Sequence, residues 1–309
     1  MSSGRDHGGG LDAAVARFGG QRADWLDLST GINPVPYPLP ELAAETWTAL
    51  PDQGARQALE AAARRFWRVP DGAAVLAAPG ASALIARLPH LLPRGSVAIP
   101  GPTYNEHEAA FRAAGWSFEG SDAMVVVHPN NPDGRLWRTS ELSLPLVVID
   151  ESFCDVMPER SLIAEATRPG RLVLKSFGKF WGLAGLRLGF AIGDPGIVGA
   201  LAEALGPWPV SGPALAIGAA ALQDGAWAEA TRDRLRADAA RLDGLMLGAG
   251  AVLEGGTPLF RLYRVADAGA MQERLARGHV WSRVFPWSDT LLRLGLPAPD
   301  GWAQLEAAL

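Results

Sequence analysis

The sequence predicts an α/β protein, with a large domain built on a mostly parallel sheet and a smaller α+β domain. Three observations point there. The chain has 309 residues, a length that suggests about two domains of roughly 150 residues each. Between residues 74 and 192, short apolar runs rich in β-branched residues alternate with helical stretches, the pattern of a largely parallel sheet with crossovers. Beyond about Gly193 helices dominate, and short strands return only near the C-terminus.

Residues 1–40 read as loop, because Gly8-Gly9-Gly10, Gly19-Gly20 and the series Pro34, Pro36, Pro38 and Pro40 break regular structure. A helix is expected over residues 55–67, ended by Val69-Pro70. Residues 74–77 read as a short buried strand, and Pro79-Gly80-Ala81-Ser82 opens a helix that runs to about His90. Residues 96–99 form the next strand and residues 105–114 the next helix. Strands follow at 124–127, 146–149, 171–174 and 186–192. Helices are expected at 197–205, 214–222 and 227–247, then strands near 251–253, 259–263 and 291–294. Gly206-Pro207-Trp208-Pro209 reads as the hinge, giving a large domain of residues 40–205 and a small domain of residues 1–39 and 206–309.

Composition narrows the function. The chain carries 28 Lys+Arg against 33 Asp+Glu, a net charge of −5, so no basic excess points to nucleic acid or an anionic membrane. The single cysteine, Cys154, excludes an internal disulfide and a cysteine-rich zinc site, and no metal is expected. No apolar run reaches the roughly 18 residues of a membrane span, and the segment MSSGRDHGGG lacks the apolar stretch of a secretory signal. A cytoplasmic location is the expectation. One count says more. There are only two lysines, Lys175 and Lys179, so any chemistry that needs a lysine amine has two candidates.

Lys179 lies just after a predicted strand in a glycine-rich turn, with Ser176 three residues before it and Arg187 eight after. An amine held this way can form a Schiff base with an aldehyde cofactor, and the hydroxyl and guanidinium can grip that cofactor's phosphate. Asp150 closes the strand 146–149, at the carboxyl edge where open α/β sheets bind ligands. A carboxylate there can pair with a protonated pyridine nitrogen. Asn131, in His128-Pro129-Asn130-Asn131-Pro132-Asp133-Gly134, again follows a strand and can donate to a ring oxygen. Gly80, Ala81 and Ser82 open a helix, where free N–H groups favour a phosphate. Tyr104 can stack on a ring. Arg293, inside the apolar run Leu291-Leu292-Arg293-Leu294, is costly to bury unless paired, and a substrate carboxylate is a natural bidentate partner.

In this order the motifs resemble the fold-type I pyridoxal-phosphate enzymes, the aspartate aminotransferase superfamily, and within it the histidinol-phosphate aminotransferase group. The resemblance covers nearly the whole chain and implies the pyridoxal-phosphate-dependent transferase fold. It implies pyridoxal 5'-phosphate as cofactor, with Lys179 forming the Schiff base and then shuttling protons. Asp150 would hold the ring nitrogen protonated, Asn131 would bond the ring 3' oxygen, and Tyr104 would stack on the ring. Gly80, Ala81, Ser82, Ser176 and Arg187 would bind the phosphate, and Arg293 the substrate carboxylate. It also implies a homodimer. Two positions differ from that group. Phe153 stands where a tyrosine would add a second bond to the 3' oxygen, and Leu50-Pro51-Asp52 replaces a Tyr-Pro-Asp whose tyrosine reaches the partner's cofactor phosphate. Both differences count against plain transamination.

Further segments sharpen the resemblance. Asp6-His7-Gly8-Gly9, the run Asp27-Leu28-Ser29-Thr30-Gly31-Ile32-Asn33-Pro34, Thr103-Tyr104-Asn105-Glu106-His107, Asp150-Glu151-Ser152-Phe153 and Arg293-Leu294-Gly295-Leu296-Pro297 are similar to the threonine-phosphate decarboxylases of cobalamin synthesis. That branch implies conversion of L-threonine O-3-phosphate to (R)-1-amino-2-propanol O-2-phosphate and carbon dioxide. His7, Gly8, Gly9 and Asn33 are the candidates to hold the substrate phosphate and so set the substrate's pose, which decides whether a carboxylate or a hydrogen is lost. Two alternatives stand beside it: an aminotransferase acting on a phosphorylated amine such as histidinol phosphate, and a non-catalytic binding module on the same fold.

Overall fold

The computed structural model describes residues 7–120 and 122–309; Asp6 of the N-terminal motif lies outside the described residues. The chain divides into two compact units. The larger comprises residues 37–131 and 135–229, the smaller residues up to 36, 132–134 and 230–309. These divisions lie at 36/37 and 229/230 rather than the expected 39/40 and 205/206. Helix Gly212–Gln223 belongs with the large unit because it packs along helix Gln53–Phe66. The segment Gly206-Pro207-Trp208-Pro209, expected as the hinge, therefore lies inside that unit.

The large unit is built on a six-stranded sheet in the order Ala74–Ala78, Gly189–Gly193, Arg171–Ser176, Leu146–Asp150, Ala123–Val127, Val97–Ala98. The last four are mutually parallel, and only Gly189–Gly193 runs antiparallel to its neighbours. The central runs AMVVV, LVVID and RLVLKS are apolar almost throughout because both faces of the sheet are covered. One core packs Leu84, Leu88, Phe111, Trp116, Val125, Val148, Leu174 and Leu201. Helix Gln53–Phe66 is started by Asp52, whose carboxylate accepts from the Ala55 amide.

This topology puts the chemistry on one edge. Four strands end there, at Ala78, Val127, Asp150 and Ser176, and the antiparallel strand begins there at Gly189, flanked by Ala78 and Ser176. The segments carrying Ser82, Asn131, Phe153, Lys179 and Arg187 are thus delivered to a common rim.

The small unit holds a four-stranded antiparallel sheet, ordered Arg283–Phe285, Ser288–Gly295, Phe260–Arg264, Val252–Thr257. A second, two-stranded pairing joins Leu26–Asp27 to Val280–Trp281 in parallel. The expectation that residues 1–40 are loop is corrected. Leu11–Phe18 is a helix, with Leu11 and Ala14 packed against Trp25 and Ala276. Its flanking glycines are its caps: Gly10 and Gly19 both have positive φ, and the Gly19 amide bonds the Val15 carbonyl. Helices Ala268–Arg277 and Trp302–Ala308 complete the unit. No helix among the described residues is long and apolar enough to cross a membrane.

Candidate active site

The rim of the large sheet encloses a cavity of about 140 Å³ whose wall includes Ala81, Ser82, Tyr104, Asn131, Asp150, Phe153, Ser176, Lys179 and Arg187. Nine of the ten expected cofactor residues therefore meet in one place, and the tenth, Gly80, is the N-cap of the helix that begins at Ala81.

Asp150 sits at the floor, buried at the last position of its strand. Its Oδ1 accepts from the Ser152 amide at 2.9 Å and the Ser152 hydroxyl at 2.5 Å, an Asx turn made by the Asp-x-Ser sequence. Its Oδ2 meets His107 Nε2 at 2.8 Å. Burial alone would raise this carboxyl, but the bonds from His107 and Ser152 outweigh it and hold the group below its usual range. A buried carboxylate kept ionised is a partner for a cationic ring nitrogen. Sequence reasoning named Asp150 but gave no role to His107 or Ser152. The signal for His107 was present: it follows Tyr104 by three residues at the start of helix Asn105–Ala113, so one turn carries both rings.

Lys179 lies on the turn after strand Arg171–Ser176. Ser176 Oγ accepts from the Gly178 amide at 3.2 Å, and the Gly182 amide bonds the Lys179 carbonyl at 3.1 Å, which tightens the loop. Its Nζ lies 5.3 Å from the centre of the buried Phe153 ring, a cation–π contact in place of a tyrosine hydroxyl. Lys175, the other lysine, is sealed on the strand itself. It bonds Glu151 at 2.6 Å and lies 3.4 Å from Asp155. Burial would lower its ammonium, but these two carboxylates outweigh it and push it up, so it stays charged and committed.

The anion end is built on close approach. Gly80 has φ 85°, and a Cβ there would lie 2.6 Å from Arg187 Nη2, so only glycine lets the helix start lie against that guanidinium. Gly189 serves the same end, since a Cβ on it would lie 2.5 Å from the Ala81 amide nitrogen. Arg187 itself is held at φ 54° with Nη1 on the Ala184 carbonyl. The helix N-terminus, Ser82, Ser176 and Arg187 line one end of the cavity, a donor set that can cradle an anion. Asn130 stabilises the opposite wall: Thr103 Oγ1 donates to its Oδ1 at 2.6 Å and its Nδ2 donates to the Pro102 carbonyl at 3.0 Å. That ties the Tyr104 loop to the Asn131 loop. A donor amine, an ionised buried carboxylate and an anion cradle in one cavity fit a phosphorylated pyridine aldehyde.

The remaining expected residues lie in the small unit. Arg293 is buried within its strand, donates Nη2 to the Ser29 carbonyl at 2.6 Å and lies 5.3 Å from the Phe260 ring centre. Burial, and the positive charge of Arg283, push its guanidinium down. Gly8 packs on the same carbonyl, where a Cβ would come within 2.4 Å. The Gly9 amide donates to Ser29 Oγ at 2.7 Å, and Arg283 donates to the His7 carbonyl at 2.8 Å. Asn33 Oδ1 accepts from Arg234 at 2.6 Å and from the Val35 amide at 3.1 Å. The N-terminal motif is thus gathered around Ser29 and Arg293, with Asn33 held by a separate arginine.

His128, Glu151 and Cys154 bring potential metal-ligand atoms within 4.8 Å of one another, but internal bonds already use the first two. The Trp137 amide donates to His128 Nδ1, Nε2 meets the Arg160 carbonyl, and Glu151 accepts from Lys175, Ser161 and the Leu162 amide.

Residues 117–273 match the family described as aminotransferase class I and II. The chain is 42% identical to a threonine-phosphate decarboxylase of a Sinorhizobium species, over 97% of this chain and 95% of that protein. It is 40% identical to a threonine-phosphate decarboxylase of Pseudomonas aeruginosa, over 98% of this chain and 97% of that one. The fold is similar to that of histidinol-phosphate aminotransferase from Sinorhizobium meliloti, solved in complex with pyridoxal-5'-phosphate. The TM-score is 0.85 at 19% identity, covering 97% of this chain and 94% of that one.

Proposed function

Because the chain belongs to the class I and II aminotransferase family, we propose that it is a pyridoxal-phosphate enzyme that decarboxylates L-threonine O-3-phosphate. The products are (R)-1-amino-2-propanol O-2-phosphate, the linker to the nucleotide loop of cobalamin, and carbon dioxide. The observation that carries this reading is the 42% identity to a threonine-phosphate decarboxylase running through 97% of the chain.

When bound, pyridoxal phosphate supplies an electron sink for the pair left at the substrate α-carbon. The protein's part is binding, orientation and proton management. Ser82, Ser176, Arg187 and the amides at the start of helix Ala81–Leu91 hold the cofactor phosphate. Asp150, kept ionised by His107 and Ser152, holds a proton on the ring nitrogen. Asn131 bonds the ring oxygen, Tyr104 covers a ring face, and Phe153 presents an apolar face where a hydroxyl is absent. Lys179 would hold the aldehyde through its amine in the resting enzyme, and its Nζ, freed when the substrate amine takes its place, would deliver to the α-carbon the proton that replaces the lost carboxylate. In the small unit, Arg293 takes the substrate carboxylate, and His7, Gly8, Gly9 and Asn33 take the substrate phosphate.

A homodimer is the assembly that the family resemblance implies. Leu39, Trp47, Leu50 and Trp208 are 65%, 68%, 68% and 56% exposed, bulky apolar side chains that a partner surface would cover. A second copy of the chain is the occupant the family implies.

The reading is tested by following consumption of L-threonine O-3-phosphate with and without 2-oxoglutarate. Equal rates support a decarboxylase. A rate that appears only with the keto acid, or with histidinol phosphate as donor, would make the enzyme an aminotransferase.

A further inference from the structure

Beneath the cofactor cavity lies a second buried polar cluster that takes no part in its wall. Asp155, 3% exposed, sits on the turn Cys154–Val156 just after the Asp150–Phe153 segment. Its Oδ1 accepts from Trp67 Nε1 at 2.8 Å and lies 3.4 Å from Lys175 Nζ, and its Oδ2 accepts from Trp181 Nε1 at 3.1 Å. Lys175 in turn holds Glu151, the residue after Asp150. Trp181 lies two residues beyond Lys179 and is fully buried, stacked between Phe177 at 5.1 Å and Trp227 at 5.3 Å with interplanar angles of 12° and 13°.

The cluster therefore cross-links two loops, one carrying Asp150 and Phe153 and the other carrying Lys179. Burying a carboxylate pair with an ammonium is expensive, and apolar side chains of similar volume often serve stability equally well. What an apolar replacement would not supply is direction: three N–H groups converging on one carboxylate fix the loops in both distance and angle. A misplacement of about 1 Å at reacting groups can cost about 100-fold in rate.

We propose that Asp155 is a positioning residue that, through the Trp181 indole, sets Lys179 relative to Asp150. The proposal rests on the assignment of the cavity to pyridoxal phosphate. Two conservative variants test it. Trp181→Phe keeps a buried ring and removes one N–H; Asp155→Asn keeps an acceptor and removes the charge. Each is loaded with pyridoxal phosphate, and visible absorbance, visible circular dichroism per bound cofactor, kcat and KM are measured. The expected result for Trp181→Phe is normal absorbance with reduced visible circular dichroism, and kcat lower by about 10-fold with KM within about twofold. Asp155→Asn should show the same pattern more strongly. If it does not fold, Trp181→Phe decides alone. Wild-type circular dichroism and kcat in a folded Trp181→Phe enzyme would overturn the proposal while leaving the cofactor assignment intact. Absence of a visible band in the wild-type protein would overturn that assignment, and this proposal with it.

Discussion

His107 Nε2 lies 2.8 Å from Asp150 Oδ2, and both side chains are sealed from water. The pair joins the start of helix Asn105–Ala113 to the end of strand Leu146–Asp150. Because the carboxyl is held below its usual value of 3.8, its contribution to stability is fully present above that pH. It is lost as pH falls through the lower, folded-state value. In His107→Phe, burial of Asp150 is no longer offset on that side. The acid-unfolding midpoint should move to higher pH, with a loss of about 1–3 kcal/mol at neutral pH. Far-ultraviolet circular dichroism against pH checks this, and an unchanged acid limb would contradict it.

Lys179→Ala should abolish the visible band that forms when pyridoxal phosphate is added. Lys175 cannot substitute, because its ammonium is buried against Glu151 at 2.6 Å and kept charged. A normal band in the variant would overturn the assignment of the lysine.

Gly80→Ala should weaken cofactor binding without abolishing folding. The added methyl would lie 2.6 Å from Arg187 Nη2, at a residue with φ 85°. A backbone at φ 85° and ψ 156° is essentially confined to glycine and costs another residue about 1–3 kcal/mol, and the guanidinium must also withdraw from the anion cradle. Fluorescence titration with pyridoxal phosphate should show an affinity reduced by about 10-fold or more. Wild-type affinity would show that the cradle does not depend on this approach.

His7→Ala should raise KM for phosphorylated substrate more than for unphosphorylated threonine. The motif is gathered in the small unit, where Arg283 bonds the His7 carbonyl and Gly9 bonds Ser29. Equal losses on the two substrates would remove His7 from the phosphate site.

The large unit was legible in the sequence because its strands are buried on both faces. AMVVV and LVVID announce themselves as continuous apolar runs, and the site residues follow those strands directly. The ends of elements were less clear. The strand expected from residue 186 begins at Gly189, because Arg187 sits at φ 54° after the turn Ala184–Leu186. Helix Leu11–Phe18 was hidden because glycines on both sides read as breakers when they are its caps. Helix Ala268–Arg277 carries a start signal in Asp267, which accepts from the Ala270 amide, and it buries Ala268, Leu275 and Ala276. The pairing of Leu26–Asp27 with Val280–Trp281 joins residues far apart in sequence, and no local pattern encodes it. The same holds for the His107–Asp150 bond and for Asp155 with its two indoles, which exist only once the sheet has formed.

The most direct test of the central claim is to incubate purified, pyridoxal-phosphate-loaded protein with L-threonine O-3-phosphate and no keto acid, and to measure carbon dioxide and amine product together. One carbon dioxide and one aminopropanol phosphate for each substrate consumed is the predicted result. Substrate binding with no carbon dioxide, followed by amino transfer once 2-oxoglutarate is added, would contradict it.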